Sequence, residues 1–366
     1  MKRHRCHIFA IQIMKSIPLV LTLLAATNLF GQAYDKLPKS ISKKWVKIEA
    51  LDYTLKGLEG NDSVNFVKTS HAVKTSEFYI FSEEVSNFDY RNFVSLNLGS
   101  NVWPDTTCWN TDFEDSYNDP MRKFYFWHPK YDNYPVVGVS QAQALAYCAW
   151  LQIKMNQKLL AMDSSINYQI LVNLPSEKQW QSAFYHSYLQ QHEPDWRSAW
   201  IIKKYLIKTK EKYNLNYGVD LTKEGQELSY YSIDNAMYPA STKLYKPSPK
   251  GLYNLMGNVA EWTLSTAYNT SDSTKIYYQK DLKRVILYSN RLGKEVYDTT
   301  KSYVYYNNPN NLKPVYKNDG FVAVKGGSWC HSIFYLQPEV SLFCKSTEQH
   351  SYIGFRPVMT LVKRQY

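Results

Sequence analysis

The sequence predicts one large α+β domain with little regular secondary structure and long loops. Two amphipathic helices are indicated, one after Ser140 and one after Ser176, because apolar residues recur there at three- and four-residue spacing. Strand-like runs occur at FYIF (78–81) and, near the end of the chain, in VAVKGG (322–327) and IGFRPVMTLV (353–362). Much of the remaining chain is rich in Asn, Asp, Pro and aromatic residues, which is typical of ordered loops.

The first helix signal follows the FYIF strand. Ser86 stands three residues before Asp89, a spacing similar to that of a capping box. The apolar positions Phe88, Phe93 and Val94 suit a short amphipathic helix that begins there.

The two later helices have clearer patterns. After Ser140 one apolar face is predicted, formed by Ala144, Leu145, Cys148, Leu151 and Met155. At the next helix Ser176 can accept a hydrogen bond from the backbone of Gln179, whose side chain reaches back. The buried face of that helix is predicted to consist of Trp180, Ala183 and Phe184.

Composition excludes several classes of protein. The 366 residues carry a formal charge of +11, and 16% of them are aromatic, including 32 tyrosines. Disordered, collagen-like and coiled-coil chains are excluded because aromatic residues are abundant and long charged runs are missing. The length excludes a small disulfide-stapled scaffold. The tyrosine surplus favours hydrogen-bonded loops and contact surfaces.

Residues 1–33 are predicted to be a signal peptide, with Met1 or Met14 as its start. The apolar run Ile17–Phe30 is followed by the small-residue cleavage site Gly31-Gln32-Ala33. A membrane span needs about 20 apolar residues, and no other stretch has that length, so no transmembrane span is expected in the mature chain. An uncleaved anchor is the alternative.

Removing the leader lowers the charge from +11 to +7, because it contains four basic residues and no acidic one. The remaining basic residues are spread along the chain and lack the setting of a nucleic-acid module, so no nucleic-acid partner is expected. The mature chain is then predicted to contain a polar lead-in segment (34–75) and a single domain (76–363). Insertions are expected near 185–235 and 264–320.

Six phrases, in one order, resemble the formylglycine-generating enzyme or sulfatase-modifying-factor (FGE-sulfatase) family. They are FYIFSEEVSNFDYRNFV (78–94), YPVVGVSQAQALAYCAWL (134–151), LPSEKQWQSAF (174–184), GLYNLMGNVAEWT (251–263), VKGGSW (324–329) and IGFRP (353–357). The resemblance spans nearly the whole mature chain. It implies that family's α+β fold, which is related to C-type lectins and poor in regular secondary structure.

Three further phrases resemble the GldK/GldJ-type gliding-motility and type IX secretion proteins of this family. They are residues 104–139, NLNYGVDL (214–221) and KGGSWCHSIFYLQPEV (325–340). The resemblance implies a protein exported to the periplasm, or to the periplasmic face of the outer membrane, of a Bacteroidetes-type bacterium. It also implies envelope-protein partners in a secretion or gliding assembly, and a homo-oligomer is a further expectation. The lipidated cysteine of GldK-like proteins is missing, so a soluble relative is expected.

The resemblance also implies a chemistry to test. Formylglycine generators oxidise a protein cysteine with O₂ at Cu(I) held by two thiolates about five residues apart, and soft thiolate pairs select Cu(I). Here Cys330 follows Ser328, but Tyr335 stands five residues beyond Cys330 and the next thiol is Cys344. Copper is therefore not expected, and Cys330, Ser328 and Trp262 become vestigial site residues of a pseudo-enzyme. An active copper oxidase, or another oxygenase of this fold, is the alternative.

Nucleophilic catalysis by Cys330 with His331 as base is not expected. The two residues are neighbours in a strand-like run, and neighbouring side chains of a strand point to opposite faces.

Calcium is the one metal that the resemblance supports, at a single site. Its ligands would be the backbone oxygens of Met256, Gly257 and Val259 and the carboxylate of Glu261, all hard oxygen ligands. The alternative is that Glu261 and Asn258 hydrogen-bond to loop amides.

Four cysteines remain after the leader is removed, and each is a disulfide candidate: Cys108, Cys148, Cys330 and Cys344. Two disulfides could form in an exported chain, with three pairings that the residues do not distinguish. The resemblance implies that Cys148 has lost its usual partner, since Pro357 stands there. Cys344 is a candidate to replace that partner.

Overall fold

The fold is described from a computed structural model of the chain. The structure describes residues 37–60, 66–96, 100–113, 118–189, 215–217, 238–266, 277–279, 312–314, 320–331, 333–338 and 340–364. The predicted signal peptide (1–33) and most of the two predicted insertions lie outside these residues. No helix in the described parts of the chain is both long enough and apolar enough to cross a membrane.

Helices are few and mostly short. The α-helices are α1 (Lys39–Ser42), α2 (Asn87–Val94), α3 (Cys108–Thr111), α4 (Asp119–Phe124), α5 (Gln141–Met162) and α6 (Glu177–Phe184). A π-helical turn, Tyr185–Leu189, continues α6, and 3₁₀ turns occupy Ser100–Val102, Pro129–Tyr131 and Ile333–Leu336.

The three predicted helix starts are confirmed. Ser86 accepts from the amide of Asp89, and both Ser140 and Ser176 form complete capping boxes. The predicted buried faces of α5 and α6 are also present, since Cys148 and Trp180 are buried. Phe88 is different, because 53% of its surface is exposed and only Phe93 and Val94 of the predicted α2 face are buried.

The first sheet joins segments near the two ends of the described residues. Its order is β1-β4-β12-β5, and all of its described pairings are antiparallel. The strands are β1 (Trp45–Ile48), β4 (Phe78–Phe81), β5 (Tyr168–Asn173) and β12 (Val358–Lys363). Strand β12 is central, so the IGFRPVMTLV phrase enters the core next to FYIF.

The predicted lead-in segment, 34–75, is corrected by this sheet. Strand β1 lies inside that segment and pairs with β4 through Trp45↔Phe81 to Ile48↔Phe78. Trp45 and Ile48 are buried. Their apolar pattern is hard to recognise in the sequence because lysines are interspersed with it. The hairpin of β2 (Leu51–Gly60) and β3 (Phe66–Thr75) follows directly. The domain therefore includes this segment and does not begin at residue 76.

The second sheet brings the remaining phrases together. Its order is β10-β9-β6-β11, from β6 (Ala260–Thr266), β9 (Phe321–Lys325), β10 (Leu342–Lys345) and β11 (Ile353–Gly354). Two short strands, β7 (Tyr277–Gln279) and β8 (Leu312–Pro314), pair only with each other among the described residues. Because β6 pairs with both β9 and β11, the AEW, VKGG and IGF phrases become neighbours.

Candidate functional site

A buried ion pair lies where the two sheets meet. Arg356, which follows β11, donates from Nε to Glu261 Oε1 at 2.9 Å, and its Nη2 lies 2.8 Å from the same oxygen. Trp180 Nε1 on α6 donates to Glu261 Oε2 at 3.0 Å. Neither partner of the ion pair is more than 1% exposed. Such a pair needs further hydrogen bonds, because the Coulombic attraction must offset the loss of hydration of both ions.

A second buried carboxyl, Glu84, lies beside this pair. Its two oxygens accept hydrogen bonds from Asn258 and Asn254 at 2.9 and 3.0 Å. Burial raises the pKa of Glu84 to about 8, and the charge of Glu261 adds to this effect, whereas Arg356 opposes it. The desolvated Glu84 side chain is therefore largely protonated at neutral pH.

Glu261, the predicted carboxylate ligand of calcium, is bonded to other side chains in the structure. Both Glu261 oxygens are bonded, and the Arg356 guanidinium occupies the position in which a cation would approach Oε1. The backbone amide of Gly257 donates to Gly326 O, so this turn is held by hydrogen bonds to the VKGG phrase. A calcium ion at Glu261 Oε1 would have to displace Arg356, so the Glu261 carboxylate as arranged here does not fit the ion. The alternative, that Glu261 and Asn258 hydrogen-bond to loop amides, holds for Asn258, whose Oδ1 accepts from the amide of Ala240 at 2.7 Å. Glu261 instead accepts from the Trp180 and Arg356 side chains.

The thiol cluster lies immediately after β9. Ser328 Oγ is hydrogen-bonded to His331 Nδ1 at 2.5 Å and contacts Cys330 Sγ at 3.2 Å. Cys330 Sγ is 3.9 Å from His331 Nδ1, and all three residues are buried. The expectation that Cys330 and His331 point apart is wrong, because the chain leaves β9 at Lys325 and turns through residues 328–331.

Tyr335, which stands five residues beyond Cys330, packs against the imidazole of His331. Its ring centroid is 5.3 Å from that of His331, and Tyr352 packs on the same imidazole at 5.1 Å. Trp262, the third residue predicted to be vestigial, lies on β6, where its Nε1 donates to Val139 O at 2.8 Å. Trp262 therefore has a structural hydrogen bond, whereas Ser328 and Cys330 share one cluster with a histidine.

The four cysteines in the described part of the chain are buried, and no disulfide joins them to one another. Burial raises the pKa of Cys108, Cys148 and Cys344, since a thiolate is poorly solvated in an apolar core. The two disulfides that an exported chain could form are not present in this structure.

Two glycines of the VKGG phrase allow this close packing. Gly326 has φ +89°, and an added Cβ would lie 2.9 Å from Leu255 O and 3.2 Å from the Trp180 ring. Gly327 has φ +64° and approaches Tyr335 O. Glycine is required here because side chains rarely adopt positive φ and because the backbones approach too closely for a Cβ.

Several buried charged residues at this centre cannot be recognised as buried from the sequence. Glu84 and Arg356 lie within the resemblance phrases but resemble ordinary surface charges when the sequence alone is considered. Lys325 is fully buried, where it contacts Glu177 at 3.3 Å and donates to Pro338 O at 2.7 Å. The one sequence feature that could indicate burial is that each charge stands within or next to an apolar strand. A charged residue at such a position is expected to be buried with a partner.

Comparison with known proteins places the chain in a family. The profile of FGE-sulfatase, the sulfatase-modifying factor enzyme 1-like domain, matches residues 42–361. The chain belongs to the FGE-sulfatase family. The predicted α+β fold with few helices and long loops is thereby confirmed, and the family match includes β1, within the segment predicted to be a lead-in. No curated protein matches this sequence.

Three solved structures are similar to this FGE-sulfatase domain at low sequence identity. Treponema denticola variable protein 1 is 17% identical over 86% of this chain and 94% of its own, with a TM-score of 0.46. PvdO from Pseudomonas aeruginosa is 13% identical over 86% and 93%, with a TM-score of 0.44. CarF is 13% identical over 86% and 97%, with a TM-score of 0.36.

Proposed function

We propose that this chain is an exported, non-catalytic FGE-sulfatase domain that serves as a structural and interaction component of a type IX secretion or gliding assembly. The observation that carries the non-catalytic part is Tyr335, which packs near His331 and stands at the sequence position of the second copper thiolate. A phenol is a poor substitute for a soft thiolate toward Cu(I). The assembly is proposed from the GldK/GldJ-type phrases.

An exposed aromatic surface supports the interaction role. Phe124 and Trp127 are each about half exposed (51% and 49%), and they lie within the segment that resembles GldK/GldJ-type proteins. Trp127 packs against Trp103 with ring centroids 5.1 Å apart. Aromatic side chains are enriched in protein interfaces because they bury a large area at a low cost in conformational entropy.

Copper binding tests the non-catalytic part. We expect the reduced protein to bind Cu(I) no more tightly than its Cys330→Ala variant, since a single thiolate does not make the two-ligand site. Tyr335→Cys should create a second thiol near Cys330 and increase Cu(I) affinity. The measurement is competition against a chromophoric Cu(I) chelator, with Tyr335→Phe as the matched control.

Tight Cu(I) binding by the wild-type chain that Cys330→Ala abolishes would contradict the proposal. That result would favour the alternative function, a copper-dependent oxidase of protein cysteine, for which the Ser328–Cys330–His331 cluster is the specific supporting observation.

Cross-linking followed by pull-down from an envelope fraction tests the assembly role. Secretion or gliding components should be recovered with the wild-type chain and depleted with Trp127→Ala, which removes an exposed ring. Leu160→Ala is the control, since it truncates an exposed apolar side chain on α5. Recovery of the chain alone, or equal recovery with both variants, would count against this assembly surface.

A further inference from the structure

A separate set of metal-binding side chains lies at the end of β10. Cys344 is on β10, and Glu348 and His350 follow in the turn that leads toward β11. One ligand atom from each, the Sγ, a carboxylate oxygen and an imidazole nitrogen, lies within 4.8 Å of the other two. Glu348 Oε2 and His350 Nε2 are 3.5 Å apart. None of these three residues belongs to the thiol cluster after β9.

Asp112 holds the His350 ring in a defined orientation. Its Oδ1 is 2.7 Å from His350 Nδ1, while its Oδ2 accepts from the backbone amide and the hydroxyl of Ser351 at 2.6 and 2.7 Å. This directs Nε2 of the ring toward Glu348 Oε2, 3.5 Å away, so that both atoms could bind one ion between them. A carboxylate on the second ring nitrogen is the usual outer-shell partner of a metal-bound histidine, since it sets the tautomer and strengthens the ligand.

We propose that Cys344, Glu348 and His350 form a zinc site, with Asp112 orienting the histidine. Thiolate, imidazole and carboxylate are the three ligand types that Zn²⁺ takes, at bonds of about 2.0–2.3 Å. Two light ligands of one tetrahedral ion lie ~3.3 Å apart, close to the observed Glu348–His350 separation. Cys344 is buried, but the Glu348 and His350 side chains are 28% and 21% exposed. The fourth ligand is therefore a water molecule from the solvent side.

The Tyr352 ring separates this site from the thiol cluster. It stacks on His350 with centroids 4.7 Å apart and presents its edge to His331 at 5.1 Å. A zinc ion would cross-link β10 to the turn before β11, and Asp112 would connect it to the end of α3. The proposal is therefore independent of the proposed function, because it involves no residue of the copper position.

The experiment is zinc titration of the purified, reduced full-length chain in competition with a chromophoric chelator. We expect one Zn²⁺ per chain, and Cys344→Ser or His350→Asn should weaken binding by more than about 100-fold, since outer-shell losses alone cost 10–100-fold. Asp112→Asn should weaken binding by about 10–100-fold. Cys148→Ser, which changes a buried thiol outside the site, should bind as the wild type does.

Two further measurements test the zinc site even if Cys344→Ser does not fold. Glu348→Gln changes a partly exposed side chain and should also weaken zinc binding, with circular dichroism as the check on folding. Co²⁺ added to the wild-type chain should show thiolate-to-metal charge-transfer absorption that Zn²⁺ abolishes. The proposal is overturned if the folded wild-type chain takes up no zinc. It is also overturned if Cys330→Ser, but neither His350→Asn nor Glu348→Gln, abolishes binding.

Discussion

The Glu84 carboxyl shows how much one buried group depends on its neighbours. It is fully buried within reach of the Arg356–Glu261 ion pair, so a single guanidinium faces two carboxyl groups. One cation cannot compensate two buried anions, and the arrangement is neutral when Glu84 carries a proton. Removing Arg356 would leave Glu261 as an uncompensated buried charge, which typically costs about 3–5 kcal/mol.

Stability should therefore depend on pH through Glu84. Its folded-state pKa of about 8 lies above the ordinary value of 4.5, so the native state keeps a proton that the unfolded chain has lost between these values. The contribution of Glu84 protonation to the free energy of unfolding is complete below pH 4.5. It falls by about 1.4 kcal/mol for each pH unit above that value and is lost as the pH rises through about 8. In Glu84→Gln this fall in the free energy of unfolding should disappear.

Urea unfolding at pH 5, 6.5 and 8 gives the slope of the free energy of unfolding against pH. A loss of stability that the substitution causes equally at every pH does not change this slope. Glu83→Gln is the matched control, since Glu83 is an adjacent buried carboxylate paired with Lys243 at 3.0 Å. Parallel pH profiles of the wild type and Glu84→Gln would refute the assignment.

At the scale of elements, the turn after β9 determines the geometry of the centre. Strand β9 ends at Lys325, and Gly326 turns the chain at positive φ, against Leu255 O and the Trp180 ring. This turn brings Ser328, Cys330 and His331 together, whereas a continued strand would have directed Cys330 and His331 to opposite faces.

Substitution of two glycines, Gly326 and Gly251, can distinguish the cost of a steric clash from the cost of backbone strain. Gly326 and Gly251 both have positive φ, +89° and +93°, but a Cβ on Gly251 would meet its nearest atom only at 3.9 Å. Gly251→Ala should cost about 1–2 kcal/mol from strain alone. Gly326→Ala should cost more, because the Cβ also meets Leu255 O at 2.9 Å. The free energies of unfolding from urea titration provide the comparison, and equal losses would exclude the steric contribution.

At the scale of the whole molecule, both ends of the described chain contribute to one sheet. Strand β12 pairs with both β4 and β5, and β1 pairs with β4, so residues far apart in sequence share the same layer. Trp45 and Ile48 contribute buried apolar surface to this sheet.

Removing residues 34–75 should therefore destabilise the domain. Each fully buried large apolar side chain is worth about 1.5–3 kcal/mol, and the loss of β1 also exposes the β4 edge. A chain that begins at residue 76 should unfold at lower urea concentration than one that begins at residue 34, or should aggregate. Equal midpoints would restore the interpretation of residues 34–75 as a lead-in segment.

The sequence by itself determined the family, the α+β class and the helix starts at Ser86, Ser140 and Ser176. These are local or ordered patterns, such as a serine three residues before its capping partner, and they can be recognised without knowledge of distant contacts. The sequence also places Tyr335, not a second thiol, five residues beyond Cys330.

Only the tertiary structure decided how the charges and thiols are partnered. Glu261 accepts from Arg356, 95 residues away, and His350 is oriented by Asp112, 238 residues away. No local pattern specifies such pairs, because they form only when the sheets bring distant segments together. The same reason explains why Cys344 lies beside Glu348 and His350, whereas the sequence marked it only as a disulfide candidate.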